Sequence, residues 1–171
     1  LIGLLVLLPM IYFTIKNGLW ILKEYFIIFL LVCLQGFIGW YMVSSGLVDR
    51  IDVSHYRLSL HLFTAFIILS IVFWKFLKLT NLRNNQITIK LNSLKIFLLL
   101  IFLQLIIGAF VSGMDAGKVY NTWPLMGSTY FPNDSSVAEF LNLEVFDNPS
   151  IVQFLHRNLA YLIVFIYLYI L

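Results

Sequence analysis

Acidic residues are scarce in this chain and cysteine is nearly absent. Its 171 residues include eight Asp and Glu, one cysteine (Cys33) and four prolines. A lone thiol cannot close a disulfide within the chain, and without a CxxC pair there is no thiol site for metal or redox work. Cys33 reads as a small inert hydrophobe. Charged residues make up 11% of the chain, where a soluble domain carries about 25%. That shortage excludes an ordinary water-exposed fold.

What fills the chain instead is apolar and contiguous. Hydrophobic residues account for 61%, and the stretches 25–43, 58–74, 96–111 and 158–171 contain no Asp, Glu, Lys or Arg. The first three approach the ~20 residues that a helix needs to cross a hydrocarbon core ~30 Å thick. They are too long for strands of a membrane barrel. The expected fold class is all-α and integral to the membrane, with five transmembrane segments at 1–15 and about 24–45, 56–77, 94–113 and 151–171. The first run is short, and Pro9 is expected to kink it, which neighbouring helices make tolerable. Lacking a basic leader and a small-residue cleavage site, that run does not read as a signal peptide. Because the chain opens on Leu1 and its last apolar run has no polar flank, it is expected to be an internal piece of a longer protein.

The few charges are sorted by side. The first and third connections hold Lys16, Lys23, Lys75, Lys78, Arg83, Lys90 and Lys95. The second and fourth, with their adjoining helix ends, hold Arg50, Arg57, Lys118 and Arg157. They also hold Asp49, Asp52, Asp115, Asp134, Glu139, Glu144 and Asp147. An excess of Lys and Arg marks the cytoplasmic or matrix side. The net charge of +3 is thus a topology signal and calls for no nucleic acid. The connection 114–150 falls on the outer side with Trp123, Pro124, Tyr130 and Pro132. Its aromatics suit the headgroup zone, and its length suggests a lid or packed cap.

A pattern repeats within the membrane. LQGFIG at 34–39 and LQLIIG at 103–108 both read LQxxxG, each followed by small residues, an outer connection and a helix with an early histidine. One face carries Gln35 and Gly39 in the first copy, and Gln104, Gly108 and Ser112 in the second. Two readings stay open: close helix packing with Gln as interhelical glue, or a flat cofactor pressed against a glycine stripe.

Among the three histidines, His55 lies in an outer connection and reads as a solvated loop residue. His61 and His156 lie within apolar segments at similar depth, and an ionisable group there is expensive and a functional candidate. A neutral imidazole bonded to a neighbour is the plain alternative. A proton relay would want an intramembrane carboxylate, and zinc or copper would want clustered ligands; the apolar segments contain neither. Haem ligation needs one imidazole per axial position, apolar walls, and cations near the membrane surface for the propionates. Arg57 and Arg157 are placed for that last task, so haem is the best physical fit.

Five motifs in order carry a resemblance: LQGFIGWYMVSSGL at 34–47, VSHYRLSLHL at 53–62, GAFVSGMDAG at 108–117, YNTWPLMG at 120–127 and QFLHR at 153–157. Together they resemble the haem A synthases, in the branch shared by proteobacteria and mitochondria. The resemblance implies eight helices in two pseudosymmetric four-helix halves. Residues 1–79 would complete the first half (helices 2–4), 80–93 would be a cytoplasmic or matrix linker, and 94–171 would begin the second (helices 5–6). Each half of such an enzyme holds a haem between two histidines, on helices 2 and 4 or on helices 6 and 8. His61 matches the helix 4 ligand and His156 the helix 6 ligand, so the two serve different haems and both partners fall outside the chain.

The implied activity is oxidation of the C8 methyl of haem O to a formyl group, giving haem A for cytochrome c oxidase. Haem b would be the cofactor. Cofactor-binding positions would be Gln35, Arg57, Gln104, Gln153 and Arg157, with Asp115, Asn121 and Trp123 in the loop over the haem edge. The family's first-half motif Glu-x-x-His-Arg, with the expected catalytic Glu, lies upstream of residue 1; the second-half counterpart has Gln153 in the Glu position. A neutral amide cannot act as a base at ordinary pH, so the second half reads as the cofactor half. Implied partners are haem O and haem A, haem O synthase, oxidase assembly factors and membrane lipid, in a bacterial inner or mitochondrial inner membrane. The alternative is a diheme cytochrome b-type membrane electron carrier.

Overall fold

A computed structural model describes residues 1–46, 52–80 and 91–170. Asp49, Arg50, Arg83, Lys90 and most of the expected 80–93 linker lie outside the described residues.

The apolar runs form five helices: α1 (Ile2–Asn17), α2 (Trp20–Val43), α3 (His55–Leu79), α4 (Leu91–Gly113) and α5 (Pro149–Ile170). No strand occurs among the described residues. Four of these helices are long and apolar enough to cross a bilayer, and α1 is a shorter apolar helix. The protein is an all-α, multi-pass membrane protein. Helix α1 runs through Pro9 and stops at Gly18, whose φ of 99° suits a residue without Cβ. Helix α5 starts on Pro149, which needs no helical N–H donor, while Asn148 Oδ1 accepts from the backbone N–H groups of Ser150 (3.0 Å) and Ile151 (3.3 Å).

Packing follows chain order, each helix lying against the next. Cations over aromatic faces join α2 to α3 near both ends: Arg57 lies 3.9 Å from the Tyr41 ring centroid and Lys75 5.0 Å from that of Tyr25. The α3–α4 seam holds buried Ser59 and an edge-to-face pair of Phe63 and Phe102 at 5.5 Å. Large apolar side chains such as Ile27, Phe37, Trp40, Leu69 and Phe165 point outward and exposed, as a lipid-facing surface requires.

Burial concentrates at one end of the bundle, where Ala109, Phe110, Ala116, Met126, Val145, Ile151 and Val152 meet. The connection between α4 and α5 packs there as a cap, built from short 3₁₀ turns at Ala116–Lys118, Val137–Leu141 and Leu143–Asp147. Its own polar groups hold it together. Asp134 accepts from the hydroxyls of Ser150 (2.7 Å) and Tyr120 (2.9 Å), and Glu139 accepts from the Ser136 N–H (2.7 Å) and the Asn148 amide (2.8 Å).

Candidate functional site

The LQxxxG repeat resolves into two matching cradles. In the first, Gln35 on α2 donates from Nε2 to the carbonyl of His61 on α3 at 2.8 Å, and the same nitrogen lies 3.1 Å from ring Nδ1 and 3.4 Å from Nε2. In the second, Gln104 on α4 donates to the carbonyl of His156 on α5 at 3.1 Å, with ring Nε2 3.2 Å away. One turn along each Gln helix sits the glycine. A Cβ on Gly39 or Gly108 would stand 3.1 Å from Cε1 of its histidine, so only glycine lets the ring lie this close to the neighbouring backbone.

Of the two readings of the repeat, close helix packing is the one seen among the described residues. Glycine and glutamine do pack helix on helix, and what they pack is a histidine in each case. The cradles differ in how well they are satisfied. Gln35 Oε1 accepts from the Thr64 hydroxyl at 2.6 Å, whereas Gln104 Oε1 and His156 Nδ1 are buried without a hydrogen-bond partner among the described residues. A buried unpaired polar atom is costly and marks a strained or ligand-facing position.

Each histidine has an arginine close in sequence, Arg57 one turn before His61 and Arg157 directly after His156, and both are bonded to backbone carbonyls. Arg57 donates to the Tyr41 carbonyl (2.8 Å), with Ser44 Oγ at 3.4 Å. Arg157 donates to the carbonyls of Tyr120 (2.7 Å) and Thr122 (2.8 Å) in the cap. A guanidinium has five N–H donors, so each retains capacity for an anionic group.

Gln153 is buried and spends its amide on the cap. Its Oε1 accepts from the Tyr120 N–H (3.2 Å), and its Nε2 donates to the carbonyls of Tyr120 (2.9 Å) and Gly117 (3.3 Å). Trp123 donates its indole N–H to the Tyr161 hydroxyl on α5 at 2.6 Å. The Tyr130 hydroxyl donates to Asn158 Oδ1, and Phe131 packs edge-on to Phe154 at 5.1 Å. Asp115 is exposed beside Lys118 (2.9 Å), and Asn121 is exposed. Hydrogen bonds from Ser150 and Tyr120 hold the Asp134 carboxyl below its ordinary range, and the Ser136 N–H and Asn148 amide do the same for Glu139. Partial burial, aided by Asp134, pushes the Tyr120 phenol up.

His55 corrects the expectation of a solvated loop residue. It is the first residue of α3, only 16% of its side chain is exposed, and its ring packs against Tyr56 and Phe110 at 4.2 and 5.3 Å. Its Nε2 is 3.1 Å from Asp147 Oδ1, close enough for an ion pair when protonated though not aligned as a hydrogen bond. The Tyr56 hydroxyl donates to the other oxygen of Asp147 at 3.1 Å. A residue from the end of the cap thus binds the start of α3, a contact that nothing near either residue in sequence announces. Thr64 was missed too. Its signal was a polar side chain three residues after His61 in an apolar helix, which puts it on the histidine's face.

Chemically, each cradle presents one imidazole, apolar surroundings and a cation toward the capped end. A closed metal site needs more ligands than that, whereas one axial face of a metallated macrocycle needs no more.

The family model described as cytochrome oxidase assembly protein (COX15-CtaA) matches residues 1–171. The chain belongs to this family. It is 49% identical over 166 residues to the heme A synthase of Pelagibacter ubique, covering 96% of this chain and 49% of the relative. It is 42% identical over 168 residues to the heme A synthase of Wolbachia pipientis wMel (94% and 48%) and 41% identical over 169 residues to that of Rickettsia bellii (93% and 49%). The chain therefore spans about half the length of these family members. No solved structure matches it.

Proposed function

We propose that this chain is the central part of a haem A synthase, a multi-pass enzyme of a bacterial inner or mitochondrial inner membrane. It would oxidise the C8 methyl of haem O to a formyl group, giving haem A for cytochrome c oxidase. The observation that carries this reading is the repeated cradle, Gln and Gly on one helix holding His on the next, as two haem-binding halves would require. Relatives at 41–49% identity bear the name of that synthesis.

In this reading His61 and His156 would each supply an imidazole to hold a haem, the two serving different haems. One half binds haem O as substrate and the other haem b as cofactor. The bound iron porphyrin supplies the redox chemistry, and this chain's residues position and shield it. Gln35 and Gln104 hold the imidazole edges, while Gly39 and Gly108 give the rings room. Arg57 and Arg157 bring cations to where propionates end. The cap, pinned through Gln153 and Trp123, keeps water from that end. Gln153 has no proton chemistry at ordinary pH, so the second half is the cofactor half. The catalytic carboxylate belongs to the first half, upstream of this chain, and residues 1–171 alone are inactive. Protein partners would be haem O synthase and oxidase assembly factors.

The test is pigment analysis of a host making the full-length protein with a haem O supply. His61→Ala should let haem O accumulate and bring haem A to background, and His156→Ala should lower bound haem b and slow turnover. The readout is the haem O to haem A ratio by reverse-phase chromatography beside an immunoblot. Normal haem A from His61→Ala at normal protein level overturns the assignment. A static haem b spectrum with no haem A in the unaltered protein points to a diheme electron carrier.

A further inference from the structure

The residue three places after the histidine differs between the two cradles. That residue is Thr64 in α3 and Leu159 in α5. We propose that Thr64 is a positioning residue for His61, its hydroxyl fixing through Gln35 the angle at which the first imidazole is presented, a control the second cradle lacks.

The argument runs along one chain of hydrogen bonds. An amide oxygen only accepts and an amide nitrogen only donates. Gln35 has both ends engaged, Oε1 by the Thr64 hydroxyl at 2.6 Å and Nε2 by the His61 carbonyl at 2.8 Å. The Thr64 oxygen also lies 2.9 Å from the Leu60 carbonyl and 3.0 Å from that of His61, but its shortest partner is the glutamine. With both ends held the amide plane cannot turn, and its nitrogen stays against the Cε1 edge of the His61 ring. Gly39, one turn along the same helix, lies against that edge as well. In the second cradle Leu159 has no hydroxyl, and Gln104 Oε1 is buried with no partner among the described residues. Gln104 is held by hydrogen bonds at one end only. Outer contacts that hold a side chain in place orient the ligand it provides. The pseudosymmetric halves therefore present one rigid and one yielding imidazole. This inference rests on the reading of His61 and His156 as haem ligands.

The test uses the full-length protein with its haem bound. Thr64→Val keeps the shape and removes the hydroxyl, and Thr64→Ser keeps the hydroxyl. Low-spin haem EPR reports the relative tilt of axial rings, and His61→Ala and His156→Ala identify which signal depends on which residue. The His61-dependent signal should shift or broaden in Thr64→Val, return in Thr64→Ser, and leave the His156-dependent signal unmoved. In the converse variant, Leu159→Thr, the new hydroxyl should reach Gln104 and narrow the His156-dependent signal. An unmoved signal in Thr64→Val, or an equal shift in Thr64→Ser, overturns the positioning role while ligation stands. If His61→Ala leaves every haem signal intact, ligation itself fails and the proposal with it. Should Thr64→Val fail to accumulate, an unaltered His156-dependent signal in Leu159→Thr overturns the proposal.

Discussion

Gly39 faces His61 so closely that a Cβ there would stand 3.1 Å from the ring's Cε1, and Gly108 holds the same relation to His156 at the same distance. The neighbour it would meet is a planar ring held by an amide, and that ring must give by a few tenths of an ångström to admit a side chain. Gly36, one turn earlier on α2, has nothing within 4 Å of its Cβ position.

This contrast predicts opposite outcomes for one substitution. Gly39→Ala and Gly108→Ala should each cost about 1–3 kcal/mol through overpacking and lower the haem retained by their own half. Gly36→Ala should be neutral or gain up to ~1 kcal/mol from helix propensity. Haem per protein, measured by absorbance on purified variants, checks all three. Equal haem loss from Gly36→Ala would mean that helix α2 resists any alteration and that the ring contact is not the cause.

Arg157 spans two cap carbonyls, those of Tyr120 and Thr122, with its two terminal nitrogens. Arg157→Leu should loosen the segment 114–148 and raise its rate of proteolytic cleavage several-fold. A lysine is a single point charge and cannot bridge both acceptors in the same fork, so Arg157→Lys should recover only part of the protection. Haem loss with unchanged proteolysis would assign Arg157 to the propionates rather than to the cap.

The cap should loosen in acid. Asp134 and Glu139 are held below their ordinary carboxylate range by hydrogen bonds, so their contribution is present above the unfolded value, ~4, and is lost as pH falls through the lower folded value. The raised Tyr120 phenol has the opposite sign: its contribution is present below ~10 and is lost only as pH rises past that. The protection factors of the Tyr120 and Ser150 amides against hydrogen exchange should therefore be flat through neutral pH and fall below about pH 4. Asp134→Asn should flatten part of the acid limb. An unchanged acid limb in that variant would remove Asp134 from the cause.

The charge sorting predicts which side of the membrane each connection occupies. In a Cys33-free background, a cysteine at Asn133 in the cap should react with an impermeant reagent from the outer side. A cysteine at Asn85, which lies outside the described residues, should react only after permeabilisation. Labelling at Asn85 from the same side as Asn133 would invert or break the arrangement.

The helices and the cradles were legible in the sequence because both rest on local spacing. Uninterrupted apolar runs give helices whose described ends lie within about four residues of the expected ones (24 against Trp20, 94 against Leu91). Gln and Gly four residues apart share a helix face, so LQxxxG already placed Gln35 with Gly39 and Gln104 with Gly108. What escaped depends on long-range contacts. Nothing around His55 indicates that Asp147 will arrive beside it. Nothing in QFLHR says that the Gln153 amide will serve loop backbone at Gly117 and Tyr120. Thr64 bears a hydroxyl that in an apolar helix can simply bond its own backbone, so its reach to Gln35 is not written in its neighbours.

The contact between Tyr56 and Asp147 joins residues 91 positions apart, and chains emerge from the ribosome N-terminus first. Every residue of the first cradle, from Gln35 to Thr64, is synthesised before Asp147 exists. The residues of the first cradle can thus meet while that end of the bundle is still open. The second cradle has no such interval, since the segment that roofs it precedes α5 and is already made when His156 appears. The two cradles therefore form in different surroundings: the first while this end of the bundle is open, the second together with the segment that covers it, since that segment is held by Gln153 and Arg157 of α5 itself.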